Sequence, residues 1–271
     1  MIGGALPLRA FQTGPEKLVK TAFLLAVGLG TLCACSPPTE KNSASLDDKI
    51  HDYLLRHPEV IQEAQTEFRV MEDKRAVSKA RPAISKHSAE IFLDRRDPFV
   101  GPENAKTVLV QFFDYRCPHC KTEAAPALLA LIKKYPSVKF VFKQFPIFGG
   151  SSNDAAKTAL AVWKTDSRKF LAVHTRLMAE AQIGSTSIDE ILRNTGLPPL
   201  DIHRSASLRT IEDQISDTYN LAKQIGIQGT PTFIIGDTMI PGSKMDEVEA
   251  LIRVSQDTQI APAIQSKIPK G

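Results

Sequence analysis

Cys117-Pro118-His119-Cys120 is the stretch whose residue types and spacing carry the most specific chemistry in this chain. An apolar run, Val108 to Phe113, precedes it, and a helical pattern from Lys121 to Lys134 follows. A strand that ends on Cys-x-x-Cys and turns into a helix places the first sulfur at a helix N-terminus. Unpaired backbone N–H groups and the helix dipole favour negative charge there. The thiol pKa falls, and the thiolate is the attacking species in disulfide exchange. Two intervening residues let Cys120 reach back to Cys117. Pro118 suits a first helical turn, where its missing N–H loses little, and His119 adds a donor or a positive charge beside the sulfur.

Other uses of two cysteines fit less well. A zinc site needs two further ligands; no other close Cys pair lies outside the N-terminal segment, and His51 and His57 are far upstream. No metal is therefore assigned. Attachment of a c-type haem needs His directly after the second Cys, where Lys121 stands. A structural staple closing so small a loop restricts the unfolded chain little. Thiol–disulfide exchange remains, and it calls for no cofactor.

The elements that must position this motif can be taken from the pattern of the chain. Its 271 residues allow one substantial domain plus an appendage, or two small domains, and 42% hydrophobic with 24% charged residues is ordinary for a soluble core. The formal charge is +4, of which Arg9, Lys17 and Lys20 against Glu16 place +2 near the N-terminus. No basic run or basic–aromatic interleaving remains, so a nucleic-acid partner is excluded. Residues 1–35 read as an export signal, with a basic start and an apolar core from Thr21 to Leu32 too short for a comfortable span. Leu32-Cys33-Ala34-Cys35 resembles a bacterial lipobox, with Cys33 where a small residue is usual and Cys35 as the lipidated residue. The mature chain then keeps only Cys117 and Cys120, a pair available for exchange.

Residues 36–45 read as a linker and 46–84 as a helical region. His57-Pro58 restarts the helix; beyond it Ile61, Ala64, Phe68 and Met71 form one apolar stripe suited to self-association. The catalytic domain is expected over 85–255. The strand from Thr107 to Phe113, the helix after the motif, and a parallel strand within Ser137 to Phe145 form a strand–helix–strand unit with both sulfurs at the sheet's carboxyl edge. A helical insertion spans about 150–226, with Ser152 or Asn153 capping its first helix, Ser187 and Glu190 forming a capping box, and Gly226 stopping its last. His174 and His203 are assigned no ligand role there. Thr230-Pro231 then leads into a buried strand, and a cis bond would explain a proline in that position. Residues 256–271 lose periodicity and read as a tail.

With strand, Cys-Pro-His-Cys, helical insertion and Thr-Pro in that order, the chain resembles the DsbA-like thiol–disulfide oxidoreductases of the bacterial envelope over about residues 85–255. Ile50 to Val60 is similar to the N-terminal extension of the lipoprotein or oligomeric branch, and Phe145-Pro146-Ile147-Phe148-Gly149-Gly150 is a shared landmark. The resemblance implies an α/β thioredoxin fold with an inserted helical domain, preceded by an N-terminal helical oligomerisation segment. It implies that Cys117 attacks, Cys120 resolves, and Thr230 with cis-Pro231 guides the substrate backbone. Relatives often carry an acid six positions before the nucleophile; Gln111 stands there, and Asp114 is the candidate proton shuttle in its place. The implied partners are exported proteins with cysteines, a DsbB-like or DsbD-like membrane redox partner, the membrane itself through the lipid anchor, and further copies in a homodimer or homotrimer. The implied location is the periplasm or outer membrane. Oxidase and isomerase activity both stay open, against a non-enzymatic lipoprotein scaffold or a thiolate metal carrier.

Overall fold

A computed structural model of the chain describes residues 45–257. The expected export signal, Cys35, nearly all of the linker and residues 258–271 lie outside the described residues. The chain divides after Arg56 into two units. In the first, helix α1 (Leu46–Arg56) starts on a reciprocal cap: Asp48 N–H donates to Ser45 Oγ (3.1 Å), while Ser45 N–H and Oγ–H donate to the Asp48 carboxylate.

The second unit begins with α2 (Glu59–Lys86), whose 28 residues span about 42 Å at the usual helical rise. Pro58 precedes its first turn, as the His-Pro step requires. The helix runs past the expected end and through Pro82, because Ala80 and Ile84 on either side are buried in the domain. Loss of one backbone hydrogen bond at Pro82 is offset by that packing.

After α3 (Ser88–Phe92), five strands follow: β1 (Phe99–Val100), β2 (Val108–Phe113), β3 (Lys139–Gln144), β4 (Thr232–Ile235) and β5 (Thr238–Pro241). They lie in the order β1-β3-β2-β4-β5. β2 and β3 are parallel, Val110 opposite Val141, joined by α4 (Ala125–Lys134). The other pairings are antiparallel. Short β1 pairs Phe99 with Val141 at the edge.

Between β3 and β4 the chain is helical: α5 (Ser151–Thr165), α6 (Phe170–Ala179), α7 (Ser185–Asn194), α8 (Pro199–Ala206) and α9 (Arg209–Ile225). Gly226, at φ 80°, ends α9 in the left-handed conformation expected of a glycine stop, and Ile227 N–H closes back on Ala222 O (2.8 Å). Two starts differ from expectation. α5 begins after Gly150, freeing the Ser152 hydroxyl to reach Asp114, and α7 is capped by Ser187 Oγ accepting from Gly184 N–H rather than by a Ser187–Glu190 pair.

Alternation along β2 explains the layers. Leu109 and Phe113 face a core shared with Cys120, Leu128, Phe142, α5 and α6, while Val110 and Phe112 face Ile84, Ile91, Leu221 and Ile225. The final helix, α10 (Met245–Asp257), adds Val248 and Ile252 to the first of these cores and carries regular helix two residues into the expected tail. This is an α/β thioredoxin fold with a helical insertion and a preceding helical segment.

The second core encloses one ion pair. Lys143 Nζ on β3 bonds the Asp97 carboxylate with both side chains 2% exposed, and Gln214 of α9 donates to the other oxygen (3.2 Å). A buried charge left without its partner costs about 3–5 kcal/mol. Asp97→Ala is therefore expected to destabilise the protein by about that amount in chemical denaturation. Replacing both charges, Asp97→Leu with Lys143→Met, should recover more than half; equal loss in single and double variants would show that the pair is not coupled.

Candidate active site

β2 ends at Phe113, and Asp114-Tyr115-Arg116 carries the chain over the sheet edge to the motif. Asp114 fixes this bend. Its Oδ1 accepts from Arg116 N–H and Ser152 Oγ–H (both 2.6 Å), its Oδ2 from Phe148 N–H (3.0 Å), and its carbonyl from Cys117 N–H (3.2 Å). The carboxylate thereby ties the motif to the Phe145–Gly150 turn and the start of α5. Behind it Tyr115 Oη and His174 Nδ1 share a buried hydrogen bond (3.0 Å), and the rings of Phe113, Phe142 and Phe170 surround the imidazole. Burial brings His174 down to about 3, so it stays neutral.

The motif is followed by a π-helical turn, Cys120–Ala124, before regular α4 helix starts at Ala125. Widened turns of this kind are frequent at functional sites. Both thiols are free and buried, Cys117 at 3% exposure and Cys120 at 0%. Cys120 N–H donates to Cys117 Sγ (3.3 Å), and Cys117 Sγ lies 3.2 Å from the Thr230 carbonyl. The Thr230–Pro231 peptide is cis. Gly242 N–H donates to Pro231 O (2.8 Å), and Thr232 Oγ1 donates to Gly229 O (2.8 Å), which hold that loop against the sulfurs.

These contacts separate the two thiols electrostatically. Cys117 is brought down to about 6, first by hydrogen bonding from the Cys120 thiol and then by Thr230 and the Cys120 N–H; burial and the Asp114 charge oppose the fall. Cys120 is pushed far up, first by burial and then by the adjacent Cys117. The Thr230 side chain, buried beside the sulfurs, lowers both. One sulfur is thus an anion near neutral pH and the other a held thiol.

His119 is exposed beside them. Its Nδ1 lies 2.7 Å from Glu123 Oε1, and Glu123 Oε2 accepts from Ser243 Oγ in the loop before α10. Glu123 raises the imidazole pKa, so positive charge persists to higher pH near Cys117. The spacing His119-x3-Glu123 is a helical i, i+4 pair visible in the sequence; the Ser243 contact, 120 residues away, is not. Pro118 is exposed at the rim. Gln111, in the position where relatives often carry an acid, is buried on the Leu109–Phe113 side of β2, and neither end of its amide has a protein partner.

Cys117, Pro118, His119, Cys120, Thr230, Pro231 and Asp114 are therefore brought to one end of the sheet. His203 is not among them; it pairs with Asp189 (2.6 Å) on the insertion. No group of three or more His, Cys, Asp or Glu able to hold a metal occurs among the described residues.

A low-pKa thiol over a buried thiol, facing a cis-proline loop at the sheet edge, defines a thiol–disulfide exchange protein. Residues 108–253 match the DSBA-like thioredoxin domain, and residues 44–72 match the Copper resistance protein ScsC N-terminal domain. The catalytic domain of Proteus mirabilis ScsC is 32% identical, over 65% of this chain and 98% of that one, with a TM-score of 0.59. The thiol-disulfide exchange protein alpha-DsbA2 of Wolbachia pipientis is 31% identical, over 65% and 96%, with a TM-score of 0.61. Disulfide bond formation protein D of Bacillus subtilis is 25% identical over 57% of this chain and 75% of its own length. The chain belongs to the DsbA-like thioredoxin family of protein-disulfide oxidoreductases, in an ScsC-like form with an N-terminal helical segment.

The thiol contacts predict a pH dependence. A folded-state pKa below that of the unfolded thiol, about 8.5, adds stability to the reduced protein. That addition is fully present above the unfolded value and lost as pH falls through about 6. The unfolding free energy of the reduced form relative to the oxidised form should therefore rise from about pH 6 to about pH 8.5 and be flat below about pH 5. Denaturation of both redox forms across this range measures it; a pH-independent difference would contradict the assigned thiolate.

Proposed function

We propose that this protein forms and rearranges disulfides in exported proteins, with Cys117 as nucleophile and Cys120 as resolving thiol. The observation that carries this reading is the placement of the two sulfurs. Cys117 Sγ accepts from the Cys120 thiol and N–H (3.3 Å for the latter) and faces the cis-Pro231 loop, which brings its pKa down to about 6, while Cys120 lies fully buried behind it with its pKa raised. In the oxidising direction a substrate thiolate attacks Cys117 Sγ of the Cys117–Cys120 disulfide and expels Cys120, which takes a proton. A second substrate thiolate attacks the substrate sulfur of the mixed disulfide and expels the Cys117 thiolate. Two electrons have passed to the pair, and a DsbB-like membrane partner removes them; in the rearranging direction a DsbD-like partner instead supplies the electrons that keep the pair reduced. A stabilised thiolate favours the reduced pair and so an oxidising disulfide.

His119 and Pro118 tune the leaving thiolate, and Thr230 with Pro231 receives the substrate backbone. Asp114, whose main chain contacts the motif and whose charge acts on Cys117, is the acid closest in role to a shuttle for the Cys120 proton. Rearrangement as well as oxidation is supported by α2. Ile61, Phe68 and Met71 of its apolar stripe are 46%, 63% and 50% exposed, a surface suited to pairing copies into a dimer or trimer with several active sites. The cellular setting that fits is the periplasm, with Cys35 anchoring the chain to the outer membrane by lipid.

Refolding of a multi-disulfide protein tests the chemistry. The oxidised protein should oxidise the reduced substrate, the reduced protein should rescue a scrambled one, and Cys117→Ser should abolish both. Asp114→Asn should slow resolution in a pH-dependent way; rates unaltered across pH would remove the shuttle. Fatty-acid labelling in cells should mark the wild type and not Cys35→Ala, and label surviving that change would end the anchor.

A further inference from the structure

Beside the cis-proline loop lies a groove of about 500 Å³ that the exchange chemistry leaves unexplained. One wall is Gly226 to Thr232 with Met239, Pro241 and Gly242; the other is helix α2, presenting Arg69, Glu72, Asp73 and Ala76. The spacing 69, 72/73, 76, 80, 84 is a single helical stripe that continues into the buried Ala80 and Ile84. Phe68 and Met71 of the exposed apolar stripe each stand one residue, about 100°, before Arg69 and Glu72. Association of copies along Phe68 and Met71 would thus leave the groove face of α2 turned toward its own active site.

The charges on that face do not cancel. Glu72 is paired within the helix to Arg75 (2.8 Å), and Asp73 to Lys244 across the domain (3.1 Å). At the motif, Glu123 is held by His119 and Ser243. Arg69 has no ion-pair partner among the described residues. It is exposed, lines the groove, and its charge reaches His119, where it opposes Glu123.

We infer that Arg69 is a specificity-determining residue of the exchange site, selecting substrate segments with an acidic side chain close to the reacting cysteine. A chain docked along Gly229–Pro231 to bring its sulfur to Cys117 must pass through this groove, between the loop backbone and α2. An Asp or Glu a few residues from its cysteine meets the uncompensated guanidinium, which suits bidentate carboxylate recognition. A lysine there meets like charge.

This assignment rests on the exchange activity proposed above. Two cysteine peptides, identical except for Asp or Lys flanking the cysteine, are oxidised by the Cys117–Cys120 disulfide of the full chain at low ionic strength. Flanking charge alters the peptide thiol itself, so the quantity read is the change between variants in the acidic-to-basic ratio of the second-order rate constant for single-turnover oxidation, with the protein disulfide as the only oxidant. Arg69→Ala is expected to lower that ratio about threefold and Arg69→Glu by about tenfold, the scale of one partly exposed charge contact and its reversal. The effect should shrink toward unity in high salt. Lys79→Glu makes the same charge change some 15 Å further along α2 and should leave the ratio at the wild-type value. An unchanged ratio in Arg69→Glu, or an equal change in Lys79→Glu, overturns the inference; failure of the wild type to oxidise either peptide overturns the exchange activity instead.

Discussion

Everything functional in this fold depends on stabilising one sulfur anion inside a protein surface that otherwise penalises charge. Cys117 is nearly inaccessible, and burial alone would raise its pKa. Local donors reverse the sign: the Cys120 thiol and N–H, with the Thr230 side chain. The largest contribution is local, from Cys120, and the Thr230 contribution comes from a part of the chain more than a hundred residues away, so the full set of donors is assembled only when the loop before β4 is seated. The same burial that Cys117 overcomes is left uncompensated at Cys120, which makes the second thiol a reluctant anion. Polarity of the pair follows from geometry, not from any difference in residue type.

The rest of the domain can be understood as bracing for those contacts. Asp114 spends both carboxylate oxygens holding the motif loop to α5 and to the turn after β3. The Tyr115–His174 hydrogen bond and its aromatic surround link the same loop to α6 in the insertion. On the far face of the sheet, the Lys143–Asp97 pair and Gln214 join β3, the segment before β1, and α9. The helical insertion is thus a second support under the motif, bonded to the residues immediately before Cys117.

Helix α2 has two faces with different fates. One packs Ala76, Ala80 and Ile84 on the domain and edges the groove beside the cis-proline; the other leaves Ile61, Phe68 and Met71 in solvent. A helix of this length without a partner for its apolar stripe is costly in isolation. Its C-terminal half, fixed to the thioredoxin domain, makes α2 part of the active-site surroundings.

Much of this protein was readable from the order of its residues. Cys-x-x-Cys between an apolar run and a helix, the restart at His57-Pro58 and the glycine stop at Gly226 are local constraints of backbone and sulfur chemistry, and local constraints survive in one dimension; Thr230-Pro231 before a buried strand left cis and trans both open, and the fold set it cis. The parallel pairing of β2 with β3 followed from the single helix between them. Tertiary structure decided what depends on distant neighbours. Ser152 abandons a capping role for Asp114 because that carboxylate lies beside the helix start, and the π-helical turn after Cys120 arises where the motif is pinned at both ends. Arg69 stands out because Arg75 and Lys244 neutralise its acidic neighbours, a balance spread over 176 positions of chain from residue 69 to residue 244. Sequence spacing records which groups are present; only folding determines which of them are left without a counter-charge.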